Sequence, residues 1–556
     1  MAQIAVSRPA AEVFTRKSSG LVRVMSPYSA FVYNILTMGL IFPWTYVWAP
    51  TALPGGSLVW GIILATLFEI PIAFAYVWLS TAMPRSGGDY VFQSRVLGGG
   101  IGFTVVLSGF VIWILQWVAL SGWLLALLGM APLALGLGVA FNSPALIAFG
   151  SWCTTANGII VISIVNALVS LVLLVSGFKN YVRFQHVMWI GTLLAFATML
   201  VVFFTTTQAQ FVAGLNNFAQ AIGGTPNFYQ NAVAAAQAAG ADFNPPFSLL
   251  ATLLVAPIAW TSLQWATYSA QQNGEIKDAR SFRSQAFVFV GSLIVTGALL
   301  VLLAIGLQAA IGQEGLTVAS SGYWLAVSDA KIAGYIPLLP NILAVAMNTS
   351  PLIVLLIGVG YILNSFQIVC NCYIGVTRIM VGMSLDRLLP NWFSETNARW
   401  HTPVNAHLAY FLLSIPVILA YNYIASWAGL TLGVTFACGY VFVVTCIAGA
   451  LLPFRARALY EASPGSKYTL GGMPLVTVLG AIGAVFGIAM VLAFLFAPQL
   501  GILGNWNFED FPAGLWAQII TVGIIVFALV WYIVARAIQA GRGINVDYAF
   551  KEIPPE

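Results

Sequence analysis

Apolar residues fall in blocks of about twenty along this chain, at 31–48, 57–82, 102–128, 158–177, 187–207, 287–311, 351–377, 406–424, 427–452, 475–497 and 515–535. Each is close to the roughly 20 residues an α-helix needs to cross a bilayer. One more block begins at Leu249, carries Pro257 in its middle, and runs into the charged segment Gly274, Glu275, Ile276, Lys277, Asp278, Ala279 and Arg280, ending near Arg283. The pattern predicts an all-α integral membrane protein with twelve transmembrane helices, the sixth interrupted. A proline inside an apolar run removes a backbone donor, and lipid tolerates freed backbone groups only where protein or a water-filled cavity covers them. The break therefore points to a binding site, with Ala259, Trp260, Thr261, Ser262 and Gln264 placed to face a solute; a proline-kinked structural helix is the plainer reading.

The first span has an interruption of its own. It carries Asn34, Thr37, Met38, Gly39 and Leu40 ahead of Pro43, and a glycine and a proline four residues apart let a helix unwind. Spans 1 and 6 are five positions apart in the count, the spacing of an inverted repeat of five plus five helices, and interrupted segments at matching positions of two halves mark a transporter site. Glycine and proline also serve close packing in such helices.

Composition and charge narrow the class. Only 7% of the 556 residues are charged, against roughly 25% in soluble domains. With the N-terminus inside, every lysine and arginine except Lys331 of the 21 falls in a loop or tail on the cytoplasmic side, as basic residues do in membrane proteins. Both tails are expected in the cytoplasm of a cell-membrane protein. The net charge of +5 then reflects topology and contact with the inner leaflet rather than nucleic acid. The N-terminal residues are polar and basic without a cleavable apolar core, so span 1 itself is expected to direct insertion.

Side-chain chemistry inside the spans is sparse. Glu69 is the one ionisable residue expected deep in a span, where a charge costs roughly 2.5 to 3.5 kcal/mol; it binds and releases a coupling proton, or it ties span 2 to its neighbours as a hydrogen-bonding group. Trp113, Gln116 and Trp117 share a face of span 3, and either line a substrate path or pack the core. Asn364 and Gln367 share a face of span 8 and suit an interhelical contact. Five cysteines read as small buried hydrophobes, and His186 reads as a solvated interface residue. With three histidines and one buried acid, a membrane-embedded enzyme has little to work with; no metal site or cofactor is expected. The long outer segments 208–247 and 312–348 suggest short helices over the outer mouth.

Three stretches carry a family resemblance. Pro84, Arg85, Gly87, Gly88 and Tyr90 resemble the Pro-Arg-x-Gly-Gly-x-Tyr signature of the amino acid, polyamine and organocation permeases. Glu275, Lys277 and Arg280 are similar to that family's Glu-x-Lys-x-x-Arg after helix 6, and Arg378 with 383–390 and 402–406 resembles its loop between helices 8 and 9. The resemblance covers roughly residues 25–454 and implies ten core helices in two inverted repeats, with helices 1 and 6 unwound around the substrate, plus two extra helices. It divides the chain into a cytoplasmic tail (1–25), a first repeat (26–207), an outer loop (208–248), a second repeat (249–453), an inner linker (454–474), helices 11 and 12 (475–535) and a C-terminal tail (536–556). The family's double glycine at the helix 1 break reads Thr37-Met38-Gly39 here, its helix 6 glycine gives way to bulky residues around Trp260 to Trp265, and Thr192 stands where some proton-coupled members have a lysine.

Half-helices that begin at a break present N–H groups to a carboxylate, and those that end there present carbonyls to an ammonium. Thr37, Met38, Gly39, Leu40, Trp113, Gln116, Ala259, Trp260, Thr261 and Ser262 are thus the expected substrate-binding positions, with Glu69 the candidate for proton coupling. The expected partners are a neutral, apolar amino acid, a coupling ion (H+ or Na+) and membrane lipid. A polyamine or cationic amino acid transporter or exchanger of the same fold is the alternative, and a receptor or channel the alternative of another class.

Overall fold

The apolar blocks fold as helices because a chain in lipid satisfies its backbone groups within one segment. The computed structural model describes residues 19–41, 44–332, 336–424 and 426–553; Pro43 and the tail bases Arg8, Arg16 and Lys17 lie outside them. Among the described residues, eleven helices are long and apolar enough to cross a membrane. The first predicted span is not one of them, because it is two short helices, α1 (Pro27–Met38) and α2 (Trp44–Ala52).

The others follow in order. α3 (Leu58–Ala82) leads through the short α4 (Gly88–Val96) to α5 (Gly99–Ala140). α5 continues about a dozen residues past its expected end and contains two widened, π-type turns, Leu107–Ile112 and Leu125–Met130. After the short α6 (Pro144–Trp152) come α7 (Ala156–Val175) and α8 (Phe178–Thr205). The outer segment then forms α9 (Gln208–Ala221) and α10 (Phe228–Ala238), amphipathic helices of the expected kind. α11 (Leu249–Glu275) is the sixth span, and α12 (Phe282–Trp324) bends at Gly312, whose φ is 67°. α13 (Pro340–Met347), α14 (Pro351–Leu385), α15 (Val404–Tyr423), α16 (Leu430–Arg455), α17 (Leu475–Phe496) and α18 (Trp516–Gly541) complete the chain.

α3 is packed between α11, α12 and α17, α8 lies along α14, and α1 rests against the last part of α11. The only sheet among the described residues is two antiparallel hairpins, Lys331–Ile332 with Ile336–Pro337 and Thr469–Leu470 with Met473–Pro474. The second turns on Gly471 and Gly472, both at positive φ (56° and 82°), the backbone a two-residue hairpin turn demands.

The sixth span departs from expectation in one respect. Its helix runs through Pro257 unbroken, from Leu249 to Leu263, so the proline does not open it. The change comes about two turns later, where Gln264–Glu275 tightens into a 3₁₀ coil with non-helical backbone at Gln272. The cause is compositional. After Leu263 the chain turns to Gln264, Thr267, Ser269, Gln271, Gln272 and Asn273, all buried, and the carboxamides of Gln264, Gln271, Gln272 and Asn273 hydrogen-bond nearby backbone and neighbouring helices instead of packing apolar surface.

Candidate functional site

α1 ends at Gly39, whose φ of 78° no side-chain-bearing residue adopts cheaply and whose N–H caps Ile35 O at 3.0 Å. The last turn is held from across the bundle. Thr37 Oγ1 donates to Tyr33 O at 2.6 Å and accepts from the Asn371 side chain on α14. Tyr181 of α8 donates to Asn371 Oδ1, and Gln367 donates to Tyr181 Oη at 3.3 Å. On the other side, Asn34 accepts the Ser269 N–H at 2.9 Å and donates to Val288 O at 3.1 Å. The interruption of α1 and the tightened half of α11 are thereby tied together at one level. Within that level Gln264 Oε1, Thr267 Oγ1, Tyr268 Oη and Ser269 Oγ are buried without a partner among the described residues, an unusual concentration of unmet polar capacity.

Beside it lies a cavity of about 390 Å³, within the size range of small-molecule sites. Its walls are aromatic: Trp44 and Trp48 of α2, Trp117 and Trp123 of α5, Tyr323 of α12 and Tyr421 of α15. Thr261 and Asn422 add polar groups, and no charged side chain is among the described residues that line it. Trp265 packs edge-on against Trp117 at 5.6 Å and against Tyr268 at 5.1 Å. The π-type turn Leu107–Ile112 brings Phe110 within 6.1 Å of Trp265.

The expected site residues divide. Thr261 lines this cavity, and so does Trp117. Ala259, Trp260, Thr261 and Ser262 sit in regular helix rather than at a break. Trp260 turns away from the cavity, donating its indole N–H to Glu69 Oε2 at 2.5 Å, and its ring packs against Gly439, where an added Cβ would approach ring carbons at 3.1 Å. Glu69 is fully buried, with Oε1 lacking a partner among the described residues; it joins α3 to α11, the tie between spans that the sequence left as one of its two readings. Gln116 accepts from the Trp427 indole at 2.9 Å and so fixes the loop over the cavity. Trp113 is a packing residue, 1% exposed. Met38 and Leu40 are buried core around the α1 break. Thr192 donates within its own helix, to Met188 O at 2.8 Å. His186 is half-buried rather than solvated, stacked on Tyr28 and within 3.3 Å of Ser29 Oγ. All five cysteines are free and buried, as expected.

The signature stretches assemble into a buried seal at the base-rich end. Arg378 meets Glu275 through two hydrogen bonds of 2.7 and 2.9 Å, with both side chains 1% exposed. Arg95 holds Asp386 in the same forked manner at 2.7 and 2.9 Å, and Tyr90 donates to Asp386 at 2.6 Å. Such pairs are kept because each partner answers the other: removing one leaves a buried charge, at a cost of about 3–5 kcal/mol. Asp89, between the glycines and Tyr90, accepts from Tyr76 on α3, Gln271 on α11 and Thr445 on α16. Burial raises its carboxyl to about 6, against the pull of those three donors. Finally, the strand entering α1 pairs with the end of α11: Met25 N donates to Glu275 O at 3.0 Å, and Lys277 N donates to Met25 O at 2.8 Å. Glu275 and Arg378 were legible as motif residues, but their pairing across 103 positions was not. Asn371 was passed over between two cysteines, though a carboxamide in mid-span is itself a signal.

An aromatic-walled cavity with a few polar groups, inside a bundle of helices long and apolar enough to cross a membrane, is the build of a multi-pass transporter. The comparisons agree. A family model described as amino acid permease matches residues 27–527, and the chain belongs to that family. It is 34% identical over 83 residues to a Methanocaldococcus jannaschii protein named "Putative amino-acid transporter", covering 15% of this chain and 20% of that one. It is 32% identical over 102 residues to an uncharacterized protein of Sulfolobus islandicus rod-shaped virus 1, covering 17% of this chain and 26% of the viral one. The matched stretches thus span about a quarter or less of each relative.

Proposed function

We propose that this permease moves neutral amino acids with sizeable apolar or aromatic side chains by alternating access, in a layout of twelve spans with a five-plus-five core. The observation that carries the reading is the cavity beside Thr261: six tryptophans and tyrosines and no charged group in its described lining. A cationic side chain held there would lack a carboxylate, and an unpaired buried charge is far more costly than a neutral group. The zwitterionic end of the substrate goes to backbone groups at Gly39 and to the unpartnered hydroxyl and amide atoms of 264–269. Both tails are placed in the cytoplasm, so the seal built on Arg378, Glu275, Arg95 and Asp386 closes the inner side and the cavity faces out.

The proton is the coupling ion in this reading, with Glu69 as its carrier. Glu69 is supported by its position: one oxygen holds the Trp260 indole on the helix that forms the site, and the other has no partner among the described residues. Uptake by purified protein in vesicles tests both parts. Amides and decarboxylated analogues of an accepted amino acid should fail to compete; competition equal to the parent would end the zwitterion model. Glu69→Gln should retain exchange but lose accumulation driven by a pH gradient, and full accumulation in that variant would remove Glu69 from the coupling step.

A further inference from the structure

Of the three histidines, only His407 is fully buried. It lies in the first turn of α15, where its own N–H donates to Pro403 O at 3.1 Å. Its ring meets Arg378, with Nε2 3.3 Å from Arg378 Nη1. A guanidinium has only protons to offer, so Nε2 is the acceptor and the imidazole proton sits on Nδ1, which has no partner among the described residues. The hydrogen bonding of this ring is thus directed at Arg378. That guanidinium is held on two sides. Its Nε and Nη2 form the fork on Glu275, at 2.7 and 2.9 Å. Away from the fork, Nη1 meets Thr377 Oγ1 and His407 Nε2, each at 3.3 Å, and the Phe178 ring at the start of α8 lies 4.9 Å from the guanidinium carbon. The two acceptors on that side are uncharged. Because a guanidinium is a rigid plane, fixing one edge aims the other, which a point charge such as an ammonium would not allow.

We infer that His407 is a positioning residue of the inner seal: as an uncharged acceptor it holds the Arg378 guanidinium in the plane that presents its fork to Glu275, which rests on the reading above that this pair closes the inner side. α15 thereby governs a contact made between α11 and α14. The sign of the charge at 407 matters as much as its hydrogen bond. A cation there would stand beside a buried guanidinium whose carboxylate is already engaged on the far edge, and like charges at such range in a buried site drive the groups apart.

The test uses the full-length protein in inside-out membrane vesicles, with the native thiol of Cys372 as reporter. It is free and buried on α14, six residues before Arg378 and so about 9 Å deeper in the bundle. An impermeant maleimide at the cytoplasmic face reaches it only in molecules whose seal has parted, and its labelling is read by peptide mass. A minor open state is populated at roughly 0.1–10%, so loosening the seal should speed labelling about tenfold. Glu275→Gln, His407→Leu and His407→Lys should all do so. His407→Gln, whose carboxamide oxygen still accepts from Arg378, should stay within about twofold of the parent. A parent-like rate in His407→Leu beside fast labelling in Glu275→Gln would overturn the role of His407 and leave the seal standing, and so would His407→Gln labelling as fast as His407→Leu, which reduces the ring to packing. A parent-like rate in Glu275→Gln would overturn the seal itself, and the role of His407 with it. Should His407→Lys fail to fold, the contrast between Gln and Leu decides.

Discussion

Asp89 shows how one residue in a short signature is placed by three helices. Tyr76, Gln271 and Thr445 converge on its carboxylate, while Arg95 on its own helix is committed to Asp386 and Arg378 on α14 to Glu275. Its carboxyl is raised to about 6 by burial. A carboxyl raised in the sealed state binds its proton more tightly there than when exposed, so the stability it contributes is full below its ordinary value and is lost as pH rises through about 6. Purified protein should therefore gain in unfolding temperature between pH 7.5 and 5.5 relative to Asp89→Asn, whose dependence should be flatter. A variant that matches the parent across that range would show that Asp89 does not titrate in the seal. From the sequence this residue was only the variable position of a motif, because nothing in a linear pattern shows that its donors lie 13, 182 and 356 residues away.

At the scale of elements, hydropathy located the helices, and proline misjudged where the sixth is interrupted. Blocks of apolar residues report where a chain crosses lipid, since each residue contributes independently to insertion. An interruption is a tertiary matter. Pro257 passes within regular helix, while the tightening at Gln264 follows from amides that find partners only in the folded bundle. The double glycine was legible as a turn, and its stronger reason is contact. Gly87 and Gly88 take φ of 95° and 28°, and a Cβ on Gly88 would come within 2.8 Å of Ala270 O and 2.7 Å of the Gln271 side chain. α4 thus sits directly on the backbone of the 3₁₀ segment. Gly88→Ala should lower stability by about 1–3 kcal/mol and slow uptake, whereas Gly543→Ala, at φ 75° with open space around it, should cost less and leave uptake intact. Equal effects of the two would mean that backbone conformation alone, and not the seat on α11, sets the requirement.

For the whole molecule, the division of bases between the two ends is the feature most legible in sequence, and the structure gives it a use. The base-rich end carries the buried pairs and the strap from Met25 to Lys277, and the base-poor end carries the aromatic cavity. The five native cysteines are buried, which makes surface labelling clean. With both tails inside, cysteine at the exposed position of Ala239 should react with an impermeant maleimide on intact cells, and cysteine at the exposed position of Ala462 should react only after lysis. Reversed labelling would invert the map and the direction in which the cavity faces.

The central claim is that an uncharged aromatic cavity selects neutral amino acids, and it is tested most directly by competition for uptake in vesicles across a panel of amino acids and amines. Leucine, phenylalanine and similar neutral substrates should inhibit, while arginine, lysine and putrescine should not. Inhibition by arginine or putrescine with leucine and phenylalanine inert would contradict the account.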